Sequence, residues 1–128
     1  MKKRILMIDD EEDFCYFTKK NLEKTREFEV IFENSPEKGI ATAIEQKPDL
    51  ILLDIIMPEM DGSEVAFRLV NDARTKDIPI IFLTCLAEEK ELGRYDGLNL
   101  VGGRPFIPKP CQTPELVRVI KEVLERKK

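Results

Sequence analysis

Five side chains in this sequence could do chemistry together. Asp9 and Asp10, Asp54, Thr84 and Lys109 each close an apolar run: "ILMIDD", "DLILLD", "IPIIFLT" and "FIPK". A carboxylate at the end of a buried run is costly unless it is paired, capped or used. Singly, each residue has a plain structural role. Asp9 or Asp10 could cap a following helix, Asp54 could turn the chain before Met57-Pro58, Thr84 could end a strand, and Lys109 could be a solvated side chain before Pro110. Those roles leave the conjunction unexplained. Three carboxylates, a hydroxyl and an amine brought to one place would form a site with a definite chemistry. Crowded carboxylates stay ionised only with a cation among them. Oxygen ligands without His or thiolate point to Mg²⁺, which binds one or two carboxylates and keeps water and phosphate oxygens. An aspartate beside such an ion can attack phosphorus and become an aspartyl phosphate. The transferred oxygens then need positive charge and donors, which Mg²⁺, Lys109 and the Thr84 hydroxyl can supply. On this chemistry Asp54 is the phosphoryl acceptor.

The elements that must position these groups alternate along the chain. Ile5–Ile8 is a short β-type run, and Phe14, Cys15, Phe17, Thr18 and Leu22 fall on one helical stripe between Glu11 and about Arg26. "FEVIFEN" alternates and reads as a second strand nearer an edge. Ser35-Pro36 is an N-cap followed by proline at the first helical position, with Ile40, Ala41, Ala43 and Ile44 on one face. "DLILLD" and "IPIIFLT" are apolar throughout, as strands covered on both faces are. Between them Val65, Ala66, Leu69, Val70 and Ala73 make a third stripe. The segment Glu88–Gly97 is poorly patterned, "RPFIP" reads as a short fifth strand, and Thr113-Pro114 starts a last helix carrying Leu116, Val117, Val119, Ile120, Val123 and Leu124.

Strands alternating with helices give an α/β protein with a parallel sheet. The chain has 128 residues, whereas an eight-unit barrel needs roughly 200 or more. An open doubly wound sheet is therefore predicted, and its ligands bind beyond the carboxyl ends of the strands. Those ends are where Asp9-Asp10, Asp54, Thr84 and Lys109 fall. No linker, repeat or low-complexity segment interrupts residues 1–128, so a single domain is expected.

Composition narrows the function. Apolar residues make up 42% and charged residues 36%, the balance of a soluble globular domain. A net charge of −4 with no basic stripe argues against direct nucleic-acid binding. No apolar run is long enough to span a bilayer, "MKKRILMIDD" has no signal-peptide core, and three scattered cysteines suit a reducing compartment, so a cytoplasmic location without membrane contact is expected. Histidine is absent, which excludes a His base, a His metal ligand and a phosphohistidine of the chain's own.

"ILMIDDEEDF", "LILLDIIMPEMDG", "IPIIFLT" and "FIPKP" together resemble the receiver (REC) domain of bacterial two-component response regulators, from Lys3 to about Arg126. The resemblance implies a flavodoxin-like sheet of five parallel strands in the order 2-1-3-4-5, with five helices. It implies that Asp54 is phosphorylated and that Mg²⁺ is held by Asp9, Asp10, Asp54 and the backbone carbonyl of Ile56, with Asp10 a direct ligand and Asp9 acting through water. Lys109 would contact the acceptor and then the phosphoryl group, in a Lys109-Pro110 bond that is commonly cis in relatives. Thr84 would be the switch hydroxyl, Phe106 the switch aromatic, and Gly62 the residue that frees the turn into the third helix. The implied donor is a histidine kinase or histidine phosphotransfer protein, and the surface formed by residues 86–128 would act on an output partner or an output domain.

Two features depart from the common pattern of that family. Cys85 stands where relatives carry Ala or Gly, at the mouth of the site, where it could slow donor or water access or simply pack as a small hydrophobe. The fourth helix, within "EEKELGRYDGLNL", offers Leu92 and Tyr95 as core contacts and contains Gly93, which costs about 1 kcal/mol relative to alanine in a helix. That face is expected to be the least stable part of the domain and the part that phosphorylation reorganises. Two other classes fit less well. A Mg²⁺-dependent aspartyl-phosphate phosphatase would carry D-x-D after the first strand, whereas Asp9 and Asp10 are adjacent, and a phosphorylation-independent interaction module would not need a full acidic set. Nucleotide or flavin binding lacks its glycine pattern. The reading is a signalling switch rather than an enzyme, with its own dephosphorylation as the only hydrolysis.

Overall fold

A computed structural model describes residues 2–84, 93–95, 98–101, 104–109 and 111–126, with backbone alone for residues 84, 93–95, 98–101 and 104. The elements are β1 (Lys3–Ile8), α1 (Glu12–Lys24), β2 (Phe28–Glu33), α2 (Pro36–Gln46), β3 (Leu50–Asp54), α3 (Gly62–Val70), β4 (Ile80–Thr84), β5 (Gly93–Tyr95), β6 (Leu98–Val101), β7 (Arg104–Pro108) and α4 (Thr113–Arg126). The sheet runs β2-β1-β3-β4-β7-β6-β5. Its first five strands are parallel, which is the expected order 2-1-3-4-5.

The apolar strands are two-faced by necessity. Side chains alternate across a strand, so Ile5, Met7, Leu50, Leu52, Ile81 and Leu83 point to one face, against Cys15 and Leu22 of α1 and Leu116, Val119, Ile120 and Val123 of α4. Leu6, Ile8, Ile51, Leu53, Ile80 and Phe82 point to the other, against Ala43 of α2 and Val65, Ala66 and Leu69 of α3. Each such side chain contributes about 1.5–3 kcal/mol by leaving water. This double burial is why "LILLD" has no polar position before its final carboxylate.

Helix starts follow their local signals unevenly. Asp61 caps α3, its Oδ1 accepting 3.0 Å from the Glu64 amide. At α1 the N-cap residue is Glu11, and its side chain makes no capping bond. No helix among the described residues is long and apolar enough to cross a membrane.

The structure adds to the expected sheet. β5 pairs antiparallel with β6, Tyr95 opposite Leu98, and β6 pairs antiparallel with β7, Val101 opposite Arg104. Four helices are described. The fourth helix expected near Glu88–Gly97 falls mostly on residues outside the described ones, and Gly93–Tyr95, which are described, lie in a strand. The sequence has a reason for this. Asp96-Gly97 separates Tyr95 from Leu98, and Gly102-Gly103 separates Val101 from Arg104. Both are dipeptides favoured in two-residue hairpins because they tolerate positive φ.

Candidate functional site

The carboxyl ends of β1, β3, β4 and β7 lie side by side, in register through Ile8–Leu53, Asp54–Leu83 and Thr84–Pro108. Asp9 follows β1, Asp54 ends β3, and Lys109 follows β7. The strand order reverses between β1 and β3, with α1 packed on one face of the sheet and α2 and α3 on the other. That is where open α/β sheets hold ligands.

Asp9 is completely buried. Its backbone is clamped, because the amide donates to the Glu33 carbonyl at 3.1 Å while the carbonyl accepts from Asn34 Nδ2 at 2.9 Å and Cys15 Sγ at 3.5 Å. Its carboxylate accepts from the Glu11 amide at 2.9 Å and from Lys109 Nζ at 2.9 Å. Asp54 is buried too, and its Oδ1 accepts from the Ile56 amide at 3.3 Å. Lys109 Nζ lies 2.5 Å from Glu11 Oε1, 3.7 Å from Asp54 Oδ2, and 4.6 Å from the centre of the Phe14 ring.

The charges do not balance. Burial, with Asp9 beside it, pushes the Asp54 carboxyl up to about 7, against the opposing pull of Lys109 and the Ile56 amide. Burial also raises Asp9 above the usual carboxylate range. Burial alone would lower Lys109, but its bonds to Glu11 and Asp9 hold it above its ordinary value, so it stays an ammonium. Carboxylate oxygens of Asp9, Glu11 and Asp54 lie within 4.8 Å of one another. One ammonium among three carboxylates leaves net negative charge in a cramped, oxygen-only cluster. Such a donor set fits a hard divalent cation.

The expected residues are brought together with differences. Asp9, Asp54 and Lys109 converge. Asp10 is exposed and helps to raise the Asp54 carboxyl, while Glu11 joins the mutually close set. Ile56 sits at the rim, half exposed, with its amide on Asp54. Phe106 is buried beside Phe82, its partner across β4 and β7. Thr84 ends β4, but its side chain, Cys85 and Pro110 lie outside the described residues. Sequence reasoning missed Glu11, Phe14 and Asn34. A glutamate is a poor N-cap, and its place ahead of α1 was the one local hint that Glu11 serves another purpose.

A family model described as "Response regulator receiver domain" matches residues 5–121. The chain belongs to the response regulator receiver domain family. Among curated relatives, the phosphate regulon transcriptional regulatory protein PhoB of Pseudomonas aeruginosa is 40% identical over 124 residues, covering 97% of this chain and 52% of its own length. Protein PilH of the same organism is 34% identical over 121 residues, covering 94% of this chain and 97% of its own length. The chain thus spans about half the length of PhoB and of two further transcriptional regulators it matches, and nearly all of PilH. Among solved structures, a CheY-like receiver domain protein from Methanospirillum hungatei superposes with a TM-score of 0.81 at 25% identity, covering 99% of this chain and 97% of the other. Chemotaxis protein CheY4 of Vibrio cholerae, at 22% identity, shares the fold with a TM-score of 0.80 over 96% of this chain and 99% of its own. The receiver fold accounts for the parallel order β2-β1-β3-β4-β7.

Proposed function

We propose that this receiver domain accepts a phosphoryl group on Asp54 from a phosphohistidine of a partner kinase or phosphotransfer protein. The observation that carries the reading is the convergence of buried Asp54, buried Asp9 and the Lys109 ammonium at one sheet edge. In the transfer, an Asp54 carboxylate oxygen forms a bond to phosphorus as the phosphorus–nitrogen bond of the donor breaks, and the electron pair returns to the imidazole. Asp54 must be ionised to attack, and with its carboxyl pushed up to about 7 it is mainly ionised above neutral pH. The Ile56 amide orients Asp54 by holding Oδ1, which leaves Oδ2 on the Lys109 side. Lys109 then supplies positive charge to the transferred oxygens. Asp9, Asp10, Asp54 and the Ile56 carbonyl are the proposed holders of Mg²⁺, with Glu11 beside them, and the ion when bound neutralises charge on the phosphoryl oxygens. Thr84 and Phe106 are the proposed switch residues, and residues 86–128 the proposed responding surface, acting on an output partner or domain in a cytoplasmic setting. Autodephosphorylation is the only hydrolytic activity proposed.

Intact mass after incubation with acetyl phosphate and Mg²⁺ tests the reading. A single phosphoryl adduct that disappears with Asp54→Asn and with chelator is expected. An adduct retained in Asp54→Asn, or none under any condition, overturns it.

A further inference from the structure

We propose that Glu11 is a latch that withholds Lys109 from Asp54 and so sets how readily this domain takes and keeps its phosphoryl group. The inference rests on Asp54 as the acceptor.

Glu11 is the N-cap residue of α1, and its side chain makes no capping bond to the free amides of the first turn. Its Oε1 instead takes a 2.5 Å hydrogen bond from Lys109, 98 positions away in the sequence. Asp9 takes a second bond from the same ammonium at 2.9 Å, and the Phe14 ring lies 4.6 Å from it. An ammonium has three N–H donors. Two are committed on the β1 and α1 side, and the 3.7 Å distance to Asp54 Oδ2 is beyond a hydrogen bond. The Lys109 side chain is only 7% exposed while that of Glu11 is 60% exposed, so Glu11 covers the ammonium from the solvent side.

A phosphoryl group on Asp54 would compete with Glu11 for the ammonium and draw it toward β3. The Asp9 bond need not break, because Asp9 and Asp54 flank the same space. Glu11 therefore stabilises the unphosphorylated domain relative to the phosphorylated one. A half-exposed ion pair is weak, so its removal shifts this balance by about two- to fivefold rather than by orders of magnitude.

The test compares wild type with Glu11→Gln and Glu11→Ala at saturating Mg²⁺, labelling with acetyl phosphate and following decay of the adduct. The side-chain ammonium resonance of Lys109 is followed by ¹⁵N NMR in the same chains. Expected are labelling raised or adduct lifetime extended by about two- to fivefold in both variants, with the Lys109 ammonium newly hydrogen-bonded to Asp54. Labelling and adduct lifetime both unchanged or reduced, while Asp54 still accepts phosphoryl in all chains, overturn the latch. If no chain is labelled, the acceptor reading itself falls, and the ammonium still decides on Glu11: a resonance unmoved by both substitutions refutes the latch.

Discussion

Gly62 backs onto the carbonyl of Asp54 so closely that a side chain there would overlap it. A Cβ at Gly62 would collide with the Asp54 carbonyl oxygen and lie 2.8 Å from the Ile55 Cα, while the Gly62 amide donates a 2.6 Å hydrogen bond to the Ile55 carbonyl. The start of α3 thus fixes the backbone of the acceptor. Both offending atoms are backbone and have no rotamer to escape into. Gly62→Ala is expected to destabilise the fold by about 1–3 kcal/mol and to slow labelling of Asp54. Chemical denaturation and phosphoryl uptake measured on the same preparation check both parts, and wild-type values for both would refute the close approach.

The raised carboxyl of Asp54 makes a signed prediction for stability against pH. Its folded pKa, about 7, lies above the ordinary value of 3.8. Between those values the folded state binds more protons than the unfolded one, so stability falls as pH rises from near 4 to near 7. Asp9 shifts the same way and adds to the trend. Asp54→Asn removes the penalty, and at pH 8 it is expected to be more stable than wild type by ~4 kcal/mol. The difference should close near pH 4. Thermal melts across that range decide it, and a difference that widens toward acid would contradict the sign.

Excess carboxylate charge also predicts how a divalent cation acts on the fold. A cation that binds only the folded site adds stability by mass action, about 2.7 kcal/mol at a hundredfold excess over its dissociation constant. The gain should be greatest above neutral pH, where Asp54 is ionised, and should largely vanish in Asp9→Asn. Melting temperature with Mg²⁺ against chelator is the measurement, and an equal gain in Asp9→Asn would place the cation elsewhere.

Asn34 reaches the site from the far side of β1, and its amide nitrogen holds the Asp9 carbonyl at 2.9 Å. Asn34→Ala is expected to cost about 1 kcal/mol and to weaken Mg²⁺ binding by loosening Asp9. Cys15 should remain unmodified by thiol reagents in the folded protein, because it is fully buried and burial pushes its thiol up to about 12. Calorimetric titration of Mg²⁺ checks the first. Rapid native alkylation of Cys15 would refute the second.

Much of this protein is legible one residue at a time. Apolar runs such as Leu50–Leu53 declare strands buried on both faces, and Ser35-Pro36 marks a helix start. Asp9, Asp54 and Lys109 stand out because a charge that ends a buried run needs a reason. These are local facts of hydrophobicity, backbone geometry and charge, so they survive without coordinates. Gly93–Tyr95 lie in a strand paired with Leu98–Leu100, where the family pattern favours a helix.

What the sequence by itself determined is an α/β fold with a parallel sheet and the kind of chemistry its carboxyl edge can support, because both follow from side-chain type and spacing, whereas the strand order was implied by the family resemblance. The tertiary structure alone decided which acidic side chain faces inward. Asp9, Asp10 and Glu11 are consecutive acids, and nothing in their order says that Asp9 is buried while Glu11, exposed like Asp10, still reaches the set with Asp9 and Asp54. That choice depends on how α1 leaves β1 and on an ammonium supplied 98 residues later. Distance across the sheet, rather than distance along the chain, sets where a carboxylate finds its partner.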